Sequence, residues 1–417
     1  MAVTRLEPSQ VGHSFPQFLP DGRHFLYYVR GAPDIRGVYV GQLDGLGSRR
    51  LLDADSGAVY APSGHLLFLR QGTLFAHAFN LDRLELSGDP SPVAEQVATG
   101  PSAPALAVSA AGPMVYRTGP SADQRQFVWF DRSGAETGKA GDPGEGFVGP
   151  SLSPDGRRLA LFQGGNASVD LWLLDVERGV LSRFTSDPAD DIFPVWSPDG
   201  KRIAFSSNRT KVLDLYLKPA DTGSEQPLLN TAQNKVANDW SPDGRFLLYT
   251  SFEKFTMSLW ALPLDGGQKP FKVVQTDFNA GWGQFSPDGK WIAYASTESG
   301  RWEIYLQRFP GPGPKTLVST SGGVEARWRR DGKELFYIAL DDRLTTVPIR
   351  LAPDGQAVEA GTPVPLFTTR VGRALQQTDV NPRYVVTPDG QRFLMNTDVE
   401  DANTSPITVI LNWKAKP

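Results

Sequence analysis

The chain has no cysteine among its 417 residues and only four histidines. The lack of cysteine excludes disulfides, thiolate zinc sites and cysteine nucleophiles. The sequence also lacks the G-x-S-x-G and H-E-x-x-H patterns, which place a serine nucleophile or a catalytic zinc ion. We therefore assign no catalytic residue and expect no resident cofactor.

Long apolar runs and strong charge are missing as well. No stretch of about 18 apolar residues occurs, and residues 1–20 have no apolar signal-peptide core. We expect no membrane insertion by this chain, and its compartment stays unknown from these residues. A net charge of −4 provides no basic field, so nucleic acid is not an expected partner.

Turn residues are abundant, with 42 glycines and 34 prolines spread along the chain. The tetrapeptide SPDG occurs at 153–156, 197–200, 241–244 and 286–289, and shorter variants of it recur elsewhere. The glycine of this turn marks nine repeat units, at positions 22, 64, 112, 156, 200, 244, 289, 332 and 390. A period near 44 residues over the whole chain predicts a repeat architecture in a single domain, 1–417.

Each unit predicts four short strands. The first ends, four residues before the turn glycine, in a residue that is aromatic in most units and is predicted to lie in the core, such as Phe18 or Trp196. The second follows the turn (RIAFSS, 202–207), and the third resembles DLYLKPA (214–220). A polar turn then leads to a fourth. Four antiparallel strands in about 44 residues are typical of a β-propeller blade. We predict an all-β fold, a single closed β-propeller of nine four-stranded blades, with eight as the alternative because the second and third units are the weakest.

The two ends of the chain suggest how the ring closes. Residues 3–22 align without gaps on 181–200, which gives residues 3–6 the position of an outermost strand. The last unit supplies only three strands, the third at 407–413. We predict that the N-terminal strand completes the last blade, because closure removes the exposed edges of an open sheet.

The repeated Asp-Gly is interpreted as part of a turn. Proline presets φ, aspartate favours the next turn position, and glycine supplies a positive φ. Asp199 and its equivalents are therefore predicted to shape hairpins and not to bind ligands.

Candidate site residues are those that break the repeat on the innermost strands. Positions five and seven before the turn glycine alternate onto one face of a regular strand, which is expected to run along the central channel. Most of these positions are uncharged; the charged exceptions are Asp239, Glu325, Arg327 and Arg383, and we group Trp282 and Gln284 from the same strands with them.

Two interpretations of these residues stay open. Buried charges are costly unless paired, so the carboxylates and arginines are expected to form ion pairs between blades. Alternatively, they line a polar pocket at the channel mouth, with loop residues His13, Asp190, Asp191 and Asp379 at its rim. In that case Asp190 and Asp191 are candidate ligands for Ca²⁺ or another divalent ion.

The repeat resembles the TolB-like, WD-type propeller repeats of bacteria, whose hallmark is WSPDG(K/R)-(I/L)-A-F followed by DLY or DLW. Several stretches are similar to the C-terminal extracytoplasmic region of acidobacterial membrane Ser/Thr protein kinases: 15–30, 59–80, 327–339 and 405–415. That resemblance implies a sensor or interaction module outside the cytoplasm. Kinase activity is not implied, because the Gly-rich, H-R-D and D-F-G motifs are absent.

The sequence therefore favours a non-enzymatic propeller that binds a protein or small-molecule ligand at the channel mouth, as the sensor module of a bacterial receptor kinase. One alternative is a hydrolase or lyase in the channel, with metal assistance through Asp190, Asp191 or Asp239. A second is a structural assembly platform of the TolB kind.

Overall fold

The computed structural model describes residues 3–7, 10–31, 34–45, 47–98, 105–119, 124–164, 168–253, 256–266, 269–311, 313–352, 357–371, 381–399, 406–411 and 413. These residues form strands and turns and no helix, so the predicted all-β class is confirmed. Among them, no apolar helix of membrane-spanning length occurs. Contacts group the chain into two compact units where the sequence predicted one domain over 1–417.

Unit 1 comprises the described residues up to Gln124 and from Asp398 onward. Its strands form three antiparallel sheets. They are β1 (Gln10–Phe18), β2 (His24–Gly31), β3 (Gly37–Gln42) and β4 (Ser48–Leu52); β5 (Val59–Ala61), β6 (His65–Arg70), β7 (Thr73–Asn80) and β8 (Glu85–Ala94); and β9 (Leu106–Val108) and β10 (Met114–Arg117) with β36 (Ile407–Ile410).

Unit 2 comprises Arg125–Gly164 and Ser168–Thr397. Four of its sheets contain four consecutive strands each. They are β13 (Phe147–Leu152), β14 (Arg158–Gly164), β15 (Val169–Asp175) and β16 (Leu181–Arg183); β17 (Asp191–Trp196), β18 (Arg202–Ser207), β19 (Asp214–Pro219) and β20 (Gln226–Leu229); β21 (Asn234–Trp240), β22 (Phe246–Glu253), β23 (Thr256–Pro263) and β24 (Phe271–Lys272); and β25 (Ala280–Phe285), β26 (Trp291–Ser296), β27 (Glu303–Arg308) and β28 (Lys315–Leu317).

The two remaining sheets of unit 2 depart from this pattern. One contains β29 (Val324–Trp328), β30 (Glu334–Ile338) and β31 (Arg343–Leu351), and β31 pairs with both β32 (Val358–Ala360) and β33 (Val364–Thr368). The other joins distant segments in the order β12 (Glu136–Glu145), β11 (Gln124–Asp131), β35 (Arg392–Asp398) and β34 (Tyr384–Val386).

This last sheet corrects the predicted ring closure. Residues 3–6 form no strand, and β35 pairs with β11 instead. The strand predicted at 407–413 lies in another sheet, as β36 beside β10. β11 occupies the position that the prediction gave to residues 407–413, and β12 occupies the outermost position that it gave to residues 3–6. The alignment of 3–22 with 181–200 therefore identified a repeat unit but not its pairing partner.

The innermost strands of unit 2 lie side by side in a cyclic order. β13 contacts β17, β17 contacts β21, β21 contacts β25, β25 contacts β29, β29 contacts β34, and β34 contacts β13. In each of these sheets, a short turn connects the inner strand directly to the second strand. Six sheets of unit 2 therefore direct their first strands at a common region.

The repeated turn is held by its own side chains, which confirms its predicted role. In the second SPDG, the Ser197 hydroxyl lies 2.5 Å from Asp199 Oδ1, which also accepts the Lys201 N–H at 3.0 Å. The hydroxyl accepts the Arg202 N–H at 2.9 Å, and Gly200 has a φ of +69°. These bonds lower the pKa of Asp199 below its ordinary value.

The aromatic residue before the turn packs in the core of unit 2, as predicted there. Trp196, Trp240, Phe285 and Trp328 are all less than one-tenth exposed. The equivalent residue of unit 1, Phe18, is 60% exposed, so the prediction of a core position is wrong for that repeat.

Four inner strands of unit 2, β13, β17, β25 and β29, contain a β-bulge at the position seven residues before the turn glycine. On β17, the register shifts between Ile192 and Val195, and Phe193 between them has a φ of +56°. Trp282, Glu325 and Gly149 occupy the same position with φ between +52° and +65°. A left-handed residue at a bulge kinks the strand and redirects its side chains. Positions five and seven before the glycine therefore do not share a face as predicted.

Candidate functional site

The six inner strands of unit 2 surround a cavity of about 550 Å³, within the size range of small-molecule sites. Every one of these strands contributes to its wall. The lining comprises residues 149–154 around β13, 193–196 and 198 around β17, 237–240 and 242 around β21, 282–285 and 287 around β25, 327, 328 and 330 around β29, and 382, 385, 386 and 388 around β34.

The cavity lies toward the turn end of the inner strands. Its lining extends from the bulge to the second residue of the turn, where five strands place a proline of the turn: Pro154, Pro198, Pro242, Pro287 and Pro388. The sixth strand, β29, places Arg330 there because its turn has the sequence RRDG. Of the segments that precede the inner strands, which were predicted to form the rim, only Pro382 before β34 is among the lining residues.

Asp239 is the acidic residue of this lining. Its Oδ2 accepts the Phe285 N–H from the neighbouring strand at 2.7 Å. Burial raises the pKa of Asp239 to about 7, against the opposing effects of the Phe285 and Trp240 N–H groups and the positive charge of Arg327. The side chain nevertheless keeps some access to solvent through the cavity. Asp239 can therefore gain or lose a proton near neutral pH.

Arg327 lies in the cavity wall on β29, the inner strand that contacts β25. Its Nε donates to the Tyr384 carbonyl at 3.3 Å, its Nη1 donates to the Ala326 carbonyl at 3.1 Å, and its guanidinium lies 5.6 Å from the Tyr384 ring centroid. Gln284, on β25, also lines the cavity. Three of the repeat-breaking residues, Asp239, Gln284 and Arg327, are thus brought together around one space.

Glu325 and Arg383 form an ion pair outside this lining. Arg383 Nε lies 2.8 Å from Glu325 Oε1, and the Arg383 main-chain N–H donates to Glu325 Oε2 at 2.8 Å. Glu325 is 2% exposed and Arg383 is 8% exposed. For these two residues the geometry agrees with the ion-pair interpretation: the pair joins β29 to the residue just before β34.

Trp282 lines the cavity, but its side chain is largely buried. It is 8% exposed and packs edge-to-face on Trp302, with ring centroids 4.7 Å apart. Its positive φ at the bulge directs the indole into the hydrophobic core beside β27. Trp282 therefore shapes the wall more than it presents a binding surface.

The loop residues predicted at the rim lie elsewhere. Asp190 accepts the Val169 N–H and the Asn208 side-chain amide, each at 2.9 Å, so it anchors a loop. Asp191 is fully buried and contacts Arg209 at 3.0 Å; burial raises the pKa of this carboxyl, opposed by Ser207 and Arg209.

Of the remaining two rim candidates, His13 is not among the residues that line the cavity. His13 belongs to β1 of unit 1, where its Nε2 lies 2.8 Å from Gln10 Oε1 and burial lowers its pKa. Asp379 lies outside the described residues. The described residues contain no group of three or more metal-ligating His, Cys, Asp or Glu side chains.

Sequence reasoning missed Arg330 as a lining residue. The signal was present in the sequence. Five of the last six turns have proline at their second position, within SPDG or TPDG, and only the turn RRDG at 329–332 has arginine there. The turn was interpreted as purely structural, so the arginine at its proline position was not considered as a candidate site residue. The geometry shows that this turn position faces the cavity.

Comparison with known proteins identifies the fold. No family model matches the chain, and no curated protein matches it either. A solved structure described as TolB from Agrobacterium tumefaciens is similar with a TM-score of 0.51 and 21% identity, over 66% of this chain and 98% of that one. TolB from Acinetobacter baumannii is similar with a TM-score of 0.44 and 15% identity, over 72% of this chain and 82% of that one. The chain therefore has TolB-like β-propeller proteins as structural neighbours.

Proposed function

We propose that unit 2 is a closed six-bladed β-propeller and that it binds a ligand or a protein segment in its central cavity. The cyclic contacts of β13, β17, β21, β25, β29 and β34 support the ring. The sheet that joins β11 and β12 to β35 and β34 would be the blade that closes it. Unit 2 holds about two thirds of the chain, as large a share as the similarity to the Agrobacterium protein covers.

One observation carries the binding role: the polar residues that break the repeat converge on a single concave space. Asp239, Gln284 and Arg327 come from three successive inner strands and line the same cavity. A repeat needs no such residues to fold, because Ser151, Val195 and Val385 occupy the same position in other sheets. Concave sites with a few convergent polar groups are the usual form of ligand sites.

The wider role we propose is that of a sensor module in a bacterial receptor-type Ser/Thr kinase, located outside the cytoplasm. Its support is the sequence resemblance alone. Sequencing the gene upstream of this coding region tests it: a kinase domain followed by one membrane helix is expected. An upstream region that encodes neither would contradict the kinase association and leave the binding role intact.

The binding role is tested by blocking the cavity. A fragment set of neutral, anionic and cationic compounds is screened by thermal shift of the full chain, followed by tryptophan fluorescence. We expect hits that raise the Tm of the wild type and of the exposed-turn control Glu177→Trp, but not of Gln284→Trp, whose indole fills the cavity. Hits that all survive in Gln284→Trp would contradict binding in this cavity.

A further inference from the structure

We propose that the cavity of unit 2 takes an anionic ligand, whose carboxylate or phosphate group is bound by Arg327 in the wall and Arg330 at the rim. This inference rests on the proposed binding function and names the chemistry of its ligand. Planar guanidinium groups match carboxylate and phosphate oxygens in geometry and charge.

Both arginines occupy positions where the fold does not require them. At the Arg327 position, the equivalent inner strands carry Ser151, Val195 and Val385, and at the Arg330 position the other five turns carry proline. The Arg330 main-chain N–H donates to the Pro388 carbonyl at 3.1 Å, which proline could not do. That bond explains a non-proline residue at the turn, but it does not explain a positive charge.

Neither guanidinium has a carboxylate partner among the described residues. The arginine between them shows the contrast: Arg329 pairs with Asp331 at 2.7 Å and with Glu334 at 2.8 Å. Arg327 has only carbonyl contacts and the Tyr384 ring. A guanidinium in a cavity that has no carboxylate within ion-pair distance favours the entry of an anion.

The net charge of the cavity lining is positive. Its titratable members are Asp239, Arg327 and Arg330, and the rest of the lining is uncharged. Asp239 already accepts the Phe285 N–H, and burial favours its neutral form up to about pH 7. Below that pH the cavity therefore carries two positive charges, and above it the Asp239 carboxylate competes with an anion for Arg327. Anion binding should weaken as the pH rises from 6 to 8.

Isothermal titration of the full chain with citrate and with inorganic phosphate, at pH 6 and low ionic strength, tests the proposal. We expect saturable binding of at least one anion by the wild type. Arg327→Gln should weaken it by about tenfold or more, the value of a lost charged hydrogen bond, and Arg330→Gln should weaken it severalfold. Arg178→Gln, an exposed arginine of the β15–β16 turn, should leave it unchanged. Preference for citrate or for phosphate identifies the carboxylate or the phosphate class.

Equal affinity in the wild type and in both cavity variants would overturn the proposal, as would the absence of binding up to 10 mM of either anion (roughly 3 kcal/mol of binding free energy). Arg330 is exposed, so its substitution keeps the proposal testable if Arg327→Gln fails to fold. Neutral or cationic fragments that bind and are lost in Gln284→Trp, with no anion binding, would refute the anion inference alone. No binding of any fragment class would refute the binding function itself.

Discussion

Replacement of Asp239 by asparagine should stabilise unit 2 most at pH 8, less at pH 5 and not at all near pH 3. The folded chain holds the Asp239 proton up to about pH 7, whereas the ordinary pKa is 3.8. Between these values the folded state binds more protons than the unfolded state, so wild-type stability falls as the pH rises from 4 to 7. Asparagine is a neutral isostere that still accepts the Phe285 N–H, and it carries no such penalty.

The pKa difference sets the size of the effect. It corresponds to about 4 kcal/mol between the two protonation states, as an upper value. Because solvent reaches part of the carboxylate, we expect about 2 kcal/mol at pH 8. The assay is urea unfolding followed by tryptophan fluorescence at pH 5, 6, 7 and 8. Nine of the ten tryptophans belong to unit 2, so the signal reports on that unit.

The pH dependence is the decisive part of this experiment. A gain of stability that is the same at pH 5 and pH 8 would show that Asp239 titrates near its ordinary pKa, and the reasoning would be refuted. A loss of stability at pH 8 would show that the ionised carboxylate is a net stabilising group, held by Arg327 more strongly than the geometry indicates.

Three further predictions concern the scaffold of unit 2 and use the same unfolding assay. Asp199→Asn should cost about 1 kcal/mol of unfolding free energy at pH 7. Because folding lowers the pKa of Asp199, this loss should shrink as the pH falls below 4. A loss independent of pH would show that the charge of Asp199 does not stabilise the turn. Glu325→Gln and Arg383→Met should each cost about 3 kcal/mol, and the double variant should cost clearly less than the sum, whereas additive costs would exclude a buried ion pair. Gly149→Ala should cost about 3 kcal/mol, since its Cβ would lie 2.2 Å from an aromatic carbon. Gly156→Ala, with similar φ and open space, should cost about 1 kcal/mol, and equal costs would show that backbone strain alone matters.

The turn and strand pattern could be predicted because each depends on local chemistry. Serine, aspartate and glycine hold the turn at Ser197–Gly200 by bonds within a few residues, so any copy of the motif forms the same hairpin. The described residues accordingly form nine sheets, as many as the repeat units. Their grouping into two units depends on contacts between distant segments, which no local pattern encodes.

Closure was mispredicted for a related reason. The alignment of residues 3–22 with 181–200 shows that two segments are similar, but it does not state which edge each segment pairs with. The outer strands β11 and β12 match no turn glycine of the repeat, because β12 follows a different turn, with Gly134 at a φ of +83°. Their pairing with β35 spans more than 260 residues of chain, and such pairing is fixed by packing rather than by sequence near either strand.

The bulge decides which of the repeat-breaking residues reach the cavity. In a regular strand, Glu325 and Arg327 would point to the same side. With Glu325 in a left-handed conformation, φ +55°, two residues of β29 lie opposite one residue of β30, and the alternation is interrupted. Glu325 then turns into the interior, where Arg383 neutralises it, and Arg327 remains in the cavity wall without a carboxylate. Glu325 and Arg383 thus have the geometry of an ion pair, whereas Asp239, Gln284 and Arg327 line the cavity. On β29, one backbone torsion separates two residues that the sequence pattern had placed on the same face.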